Sequence, residues 1–181
     1  PPAKDPALRT RGHRTGEVHE AHCVGILLRE PDLIYKVDRE LGNGGLARFD
    51  EKDFLNSDLQ ILVRLLKEAL AQNEEEPRDF VVNHLPHNFL EIVDELLIGT
   101  EDLDPTADRV LRDFMRAFLK LRKWQIVKNR DHLRYLQEAN HENGDYKALE
   151  YQKKNTQYIQ EELKIDKLEE RFTSRTAAFN S

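Results

Sequence analysis

The chain has 181 residues, which is enough for one ordinary domain and a small appendage, and 39% of them are hydrophobic and 34% charged. Its single cysteine, Cys23, excludes an internal disulfide and a cysteine-based structural zinc site, and it fits a reducing cytoplasm. No apolar run approaches the roughly eighteen residues that a membrane span needs, so we expect a soluble protein without a membrane partner.

The net charge of −6 conceals a strongly acidic middle segment. Residues 17–104 contain eight bases and twenty-one acids, a balance of −13, whereas residues 105–181 contain sixteen bases and twelve acids. An acidic surface repels phosphate backbones, whose binding depends on clustered lysine and arginine. We therefore expect no direct nucleic-acid binding and a partner that is a protein.

Residues 1–16, PPAKDPALRTRGHRTG, have the composition of a flexible linker. They combine three prolines, two glycines and four bases with few apolar side chains. The sequence starts without methionine or a signal-peptide pattern, which suggests a fragment of a longer protein.

Residues 17–123 have the pattern of a helical bundle. Apolar residues recur at helical spacing in EVHEAHCVGILLRE and in PDLIYKVDREL, and Pro31 separates the two helices. Phe49 and Phe54 in the following loop are expected to fill the core, and Ser57 and Gln60 have the spacing of a capping box. A strongly apolar helix and two short helices, each starting at a proline, follow.

A long helix is predicted to begin after Asp104-Pro105 and to continue to Asn143-Gly144, about 35 residues or roughly 50 Å. Its apolar positions are dense before Trp124 and sparse after it. A second helix returns after the turn, so residues 124–172 are predicted to form an antiparallel hairpin projecting from the bundle, followed by a tail at 173–181. No segment alternates like a strand, and the predicted fold is all-α.

Two pairs of histidines invite comparison with a metal site. His19 and His22, like His84 and His87, are three residues apart, whereas the zinc-protease helix needs a spacing of four. We expect no metal, no cofactor and no catalytic activity, since no nucleophile, base and orienting group occur together. An all-α metal-dependent hydrolase using these four histidines remains an alternative.

Several stretches together resemble a known family. HCVGILLREPDLIYKV, FDEKDFLNSDLQILVRLL and the long FLKLRKWQIVKNRDHLRYLQEANHENGDYKALEYQ are similar to the C-terminal, helicase-binding domain of bacterial DnaG-type DNA primase. The likeness covers about residues 17–170. The first half also resembles the N-terminal assembly domain of the replicative helicase, but Leu-Arg-Lys at 121–123 and the hairpin favour primase.

The resemblance implies a non-catalytic docking module. In that family the zinc-binding and polymerase domains precede this domain, and the bundle and hairpin bind the N-terminal domains of the hexameric, DnaB-type replicative helicase. The chain is then expected to be a monomer by itself, to act in the cytoplasmic replisome and to use residues 1–16 as the end of a tether.

The hairpin has few apolar residues for its length, so we expect a partner to complete its burial. Its tyrosines are of the type enriched at interfaces; alternatively, they close the seam between the two helices. The residues predicted to contact the helicase lie near the tip: Arg130, Arg134, Tyr135, Tyr146, Leu149 and Lys153.

Overall fold

The computed structural model describes the backbone of residues 6–104, 106–139 and 145–173, and the side chains of residues 16–104, 106–138 and 148–173. Regular structure within these ranges is entirely helical, which confirms the all-α prediction. The helices are α1 (Pro6–Arg29), α2 (Leu33–Asn43), α3 (Ser57–Ala71), α4 (Pro77–His84), α5 (Leu90–Ile98), α6 (Ala107–Ala139) and α7 (Asp145–Thr173), with short 3-10 turns at Glu51–Asp53 and His87–Phe89. Each helix in the described ranges is too short or too polar to cross a lipid bilayer.

Helix α1 begins earlier than predicted. The flexible linker expected over residues 1–16 is corrected to helical backbone from Pro6 onward, and residues 1–5 lie outside the described part. Pro6 is the first helical residue, where its missing N–H leaves no hydrogen bond unmade, and alanine, leucine and arginine follow it. Because residues 23–28 are already fixed in the core, extending the helix toward the N-terminus needs no new nucleus.

The core lies where α1, α3, α5 and the first half of α6 meet, and phenylalanine rings form its centre. The ring centroid of Phe49 lies 5.8, 6.0 and 5.3 Å from those of Phe54, Phe114 and Phe118. All four side chains are buried, as predicted for Phe49 and Phe54. Burial of each ring contributes about 1.5–3 kcal/mol, so the two loop residues Phe49 and Phe54 help to hold the helices together.

Helix α1 approaches α5 closely at Gly25. A Cβ at this position would lie only 2.6 Å from the carbonyl oxygen of Leu96, which explains why no larger residue fits. Next to this contact, the Arg29 Nε donates a hydrogen bond to Thr100 Oγ1 at 2.9 Å. The end of α1 is therefore attached to the end of α5 by packing and by a polar contact.

The start of α3 is stabilised differently from the prediction. Asn56, not Ser57, is the N-cap, and its side chain accepts hydrogen bonds from the backbone N–H groups of Asp58 and Leu59. The capping box predicted for Ser57 and Gln60 is therefore wrong, because Gln60 Nε2 donates to the Phe54 carbonyl oxygen at 2.6 Å instead. An asparagine N-cap satisfies the same unpaired N–H groups as a serine would.

Buried Glu20 attaches α1 to the same turn. Its carboxylate accepts hydrogen bonds from the backbone N–H groups of Leu55, at 2.8 Å, and Asn56, at 3.1 Å. A buried carboxylate is costly unless it is hydrogen-bonded, and two N–H donors offset that cost. Glu20 is thus a structural residue of the loop before α3.

Arg122 attaches α6 to the loop after α2. Its guanidinium donates to both carboxylate oxygens of Asp53, at 3.0 and 2.9 Å, and to the carbonyl oxygens of Ala47 and Arg48, at 2.8 and 2.9 Å. The group also lies 4.7 Å above the centroid of the Phe118 ring. The sequence pattern gives no sign of this structural role for Arg122.

The hairpin predicted over residues 124–172 does not separate from the bundle at Trp124. The second half of α7 returns to the bundle, where Ile165 and Leu168 are fully buried in the main core. Near the end of α7, Arg171 pairs with Glu40 of α2 at 2.9 Å. The returning helix therefore completes the bundle, because its apolar residues are concentrated at this end.

Candidate functional site

Helices α6 and α7 run antiparallel, and polar contacts mark the seam between them. Lys123 Nζ lies 2.5 Å from Asp166 Oδ1, and the Arg116 Nε donates to the Phe172 carbonyl oxygen at 2.9 Å. The pKa of Lys123 is raised, and the largest cause is the hydrogen bond from this lysine to Asp166. As residue numbers increase along α6, the partners' numbers decrease along α7, which defines the antiparallel register.

Arg130 belongs to this seam, although the sequence predicts it to be a partner-contacting residue. Its Nη1 lies 2.8 Å from Glu162 Oε2, and its Nε donates to Asn155 Oδ1 at 3.3 Å. The side chain therefore joins the two helices of the hairpin. Its charge is already neutralised within the chain.

Apolar contacts supplement the polar seam. Ile126 and Leu133 of α6 are buried, and Tyr151 and Tyr158 of α7 are half-buried. Tyr158 packs against the main core. Tyr158 is therefore part of the fold's own packing, whereas closure of the seam by the tyrosines together stays a hypothesis.

Four of the predicted contact residues are exposed on the half of the hairpin away from the bundle: Arg134, Tyr135, Leu149 and Lys153. Tyr135 is 67% exposed and Leu149 is 57% exposed. The side chain of Tyr146 and the predicted turn at Asn143-Gly144 lie outside the described residues. The exposed apolar side chains are available for contact with another molecule.

Two further apolar residues of α7, which are not among the predicted contact residues, are also exposed. Ile159 is 40% exposed and Leu163 is 56% exposed. With Leu149 they follow spacings of ten and four residues, which place all three within an arc of about 80° on the helix surface, with Ile159 at the edge next to the seam residue Asp166. The same spacing in the sequence could have identified this face, but a helical pattern alone does not distinguish an outer face from an inner one.

Exposed lysines lie along one edge of this apolar face. Lys153, Lys164 and Lys167 are exposed, and none has a carboxylate partner among the described residues. By contrast, neighbouring Lys154 pairs with Glu150 at 3.1 Å. We call the surface formed by Leu149, Ile159, Leu163 and the three unpaired lysines the outer face of α7.

The candidate histidines do not come together as a metal site. Over the described side chains, no group of three or more histidine, cysteine, aspartate and glutamate residues is placed to hold a metal ion. His84 stacks on Phe80 with ring centroids 4.0 Å apart. His19 and His22 lie half-buried on α1, and burial lowers the pKa of each. These observations give no support to the alternative of a hydrolase using the four histidines.

Comparison with known proteins identifies no relative. No protein-family model matches the chain, no curated protein matches it significantly, and no solved structure matches it significantly.

Proposed function

We propose that this chain is a non-catalytic docking module, the helicase-binding C-terminal domain of a bacterial DnaG-type primase. The observation that carries the proposal is the exposure of Tyr135 and Leu149 on the distal half of a hairpin whose own seam is closed by other residues. Aromatic and aliphatic side chains exposed in this way are typical anchors of protein interfaces. The resemblance of the sequence to the primase domain gives the identity of the partner.

In this proposal the partner is the ring of N-terminal domains of the hexameric replicative helicase. The module binds as a monomer and brings a tethered polymerase to the replication fork in the cytoplasm. Tethering raises the effective concentration of the polymerase near emerging single-stranded DNA without any new catalytic contact. Recruitment is therefore the whole task of this part of the protein.

A calorimetric titration of the chain against the helicase of the same organism tests the proposal. Tyr135→Ser and Leu149→Ser are expected to weaken binding, by about thirtyfold for at least one of them, because truncating an interface anchor removes about 2 kcal/mol. Both side chains are mostly exposed, so the melting temperature is expected to stay the same. Ile98→Ser, which removes an equally exposed residue on α5, is the matched control.

Two results would contradict the proposal. One is no binding of the unaltered chain to the helicase, and the other is ring formation by the chain alone in sedimentation. The second result would favour the alternative of a helicase N-terminal assembly domain, which is the other family that the first half of the sequence resembles.

The proposal also predicts that the chain synthesises no primers and binds single-stranded DNA weakly at physiological salt. Residues 17–104 carry a balance of −13, which disfavours contact with phosphates. Fluorescence anisotropy with labelled oligothymidine measures this directly. Micromolar binding would mean that the bases outside this segment outweigh its acidic charge.

A further inference from the structure

A shallow apolar cleft of about 30 Å³ lies between α4 and α5. Val81, Val82 and Leu85 line it from α4, and Val93 and Leu97 line it from α5. Its volume is roughly the share of one water molecule in the liquid. The cleft therefore has room for the end of one aliphatic side chain and is too small for a cofactor.

The rim of the cleft is also apolar, and it is open to solvent. Val82 is 56% exposed, and Leu90, which lies one turn before Val93 on the same side of α5, is 44% exposed. Single exposed aliphatic side chains are normal on a protein surface. These two lie next to a cleft with room for a third, so an aliphatic side chain inserted from another molecule would find apolar contacts on both sides.

Carboxylates flank this rim on both helices. Asp79 lies about 60° from Val82 on the surface of α4, and Asp94 lies about 40° from Leu90 on the surface of α5. Both carboxylates are exposed, and neither forms an ion pair with a base in the described part of the chain. Residues 72–104 contain ten acids and one base, a balance of −9, so the surroundings of the cleft are strongly acidic.

The one base of this segment, Arg78, does not reverse that charge. Arg78 lines both the cleft and a neighbouring cavity of about 410 Å³. Arg29, Glu30 and Glu101 also line this cavity, so two bases and two acids balance among its described lining residues. The acidic surface around the cleft therefore disfavours a nucleic acid or an acidic peptide and favours a basic partner.

We infer that the cleft between α4 and α5 docks a short, basic amphipathic helix of another protein. An aliphatic side chain of that helix enters the cleft beside Val82, and lysine or arginine side chains on either side of it pair with Asp79 and Asp94. Docking of this kind combines apolar anchors in a groove with complementary charges at its edges. The residues proposed to contact the helicase lie on α6 and α7, so this inference goes beyond the proposed function and is independent of it.

The test titrates the full 181-residue chain with three synthetic peptides of equal length. The first has leucines four residues apart among lysines, the second has serines in place of the leucines, and the third has glutamates in place of the lysines. The first is expected to bind about thirtyfold more tightly than the second, as is typical for an interface anchor, and the third is expected not to bind. In methyl NMR spectra, the first peptide is expected to shift the resonances of Val82 and Leu97.

Two substitutions locate the contact. Val82→Ser is expected to weaken binding of the leucine–lysine peptide about tenfold. Asp94→Lys is expected to weaken it about tenfold at low salt and less at high salt, because salt screens the charges. Val127→Ser and Asp131→Lys, which make the same changes at exposed residues of α6, are the matched controls and should alter affinity less than about twofold. Melting temperature is measured for each variant, and Leu90→Ser replaces Val82→Ser if the latter unfolds.

Three results would overturn the inference. Equal binding of the leucine and serine peptides, with equal effects of Asp94→Lys and Asp131→Lys, would mean that only general charge attraction acts. Binding of the glutamate peptide would assign the surface to an acidic partner held by Arg78. A dimer of the unaltered chain in sedimentation that Asp94→Lys dissociates would assign the cleft to a second copy of this chain. The helicase takes no part in these measurements, so their failure leaves the proposed function standing.

Discussion

At the scale of single residues, Arg122 is the side chain whose removal is expected to cost the most stability. The side chain is 6% exposed, and it donates to Asp53 and to two backbone carbonyl groups. Arg122→Ala leaves a carboxylate and these carbonyl oxygens without their donor in a poorly hydrated site. Removing one partner of a buried ion pair costs roughly 3–5 kcal/mol, which urea unfolding measures.

The matched control is Arg64→Ala. Arg64 is 58% exposed and lies 3.5 Å from Glu51, so its loss is expected to cost less than about 1 kcal/mol. Equal losses in the two variants would contradict the structural role assigned to Arg122.

The thiol of Cys23 is expected to be chemically inert in the folded chain. The residue is fully buried, and burial, reinforced by the charges of Glu20 and Asp53, raises the pKa of the thiol. Because the thiolate is the reactive form, a disulfide reagent should label the native protein only as fast as it unfolds. Rapid labelling of native protein at pH 8, at the rate seen in denaturant, would contradict this expectation.

At the scale of the secondary-structure elements, the second half of α7 is part of the core. Leu168→Ala is expected to cost about 2–5 kcal/mol because this side chain is buried, whereas Leu163→Ala, on the outer face, should cost little. Thermal unfolding of the two variants measures the difference. Similar melting temperatures for both would mean that α7 does not pack on the bundle.

Truncation gives a second test at this scale. A chain ending at residue 123 lacks Ile165 and Leu168, which belong to the core cluster, so it is expected to lose cooperative unfolding. From the sequence alone, the density of apolar residues before Trp124 predicts the opposite result, a folded bundle. A sharp melting transition in the shortened chain would restore that interpretation.

The helices were predictable because their apolar positions follow a regular spacing and because prolines separate them. Phe49 and Phe54 were also predictable as core residues, since the two phenylalanines of a polar loop are more stable when buried than when exposed to water. The cap of α3 was not, because Asn56 and Ser57 are equally good caps and tertiary contacts decide between them.

The candidate site was predicted in part. The exposure of Tyr135 and Leu149 agrees with the tip positions chosen from the sequence. The seam position of Arg130 was not predictable, because it depends on the register between α6 and α7, which places Glu162 opposite it. Helical spacing within one helix says nothing about that register.

At the scale of the whole molecule, the packing of α1 on α6 is expected to weaken as the pH falls. Burial, followed by the charges of Lys120 and His22, lowers the pKa of His19 below its ordinary value of 6.5. Burial also lowers the pKa of His22, although the Asp113 carboxylate partly opposes the shift. Below pH 6.5 the unfolded chain therefore binds more protons than the folded chain, and the free energy of unfolding decreases.

Urea unfolding at pH 7.5 and 5.5 measures this effect. A double variant, His19→Gln with His22→Gln, is expected to show a smaller decrease between the two pH values. The carboxyls of Asp50 and Asp104, whose pKa values are also lowered, lose their contribution only below their ordinary value of 3.8 and do not interfere. An unchanged decrease in the double variant would assign the pH dependence to other groups.

Helix α6 has one further mechanical consequence. Its 33 residues contain neither proline nor glycine, the usual causes of a sharp bend, and it extends without interruption from the core to the distal half of the hairpin. At the usual rise per residue of an α-helix, α6 spans about 50 Å without a flexible break. A partner bound at its far end would therefore fix the orientation of the bundle relative to that partner, because the hairpin is rigid and does not pivot.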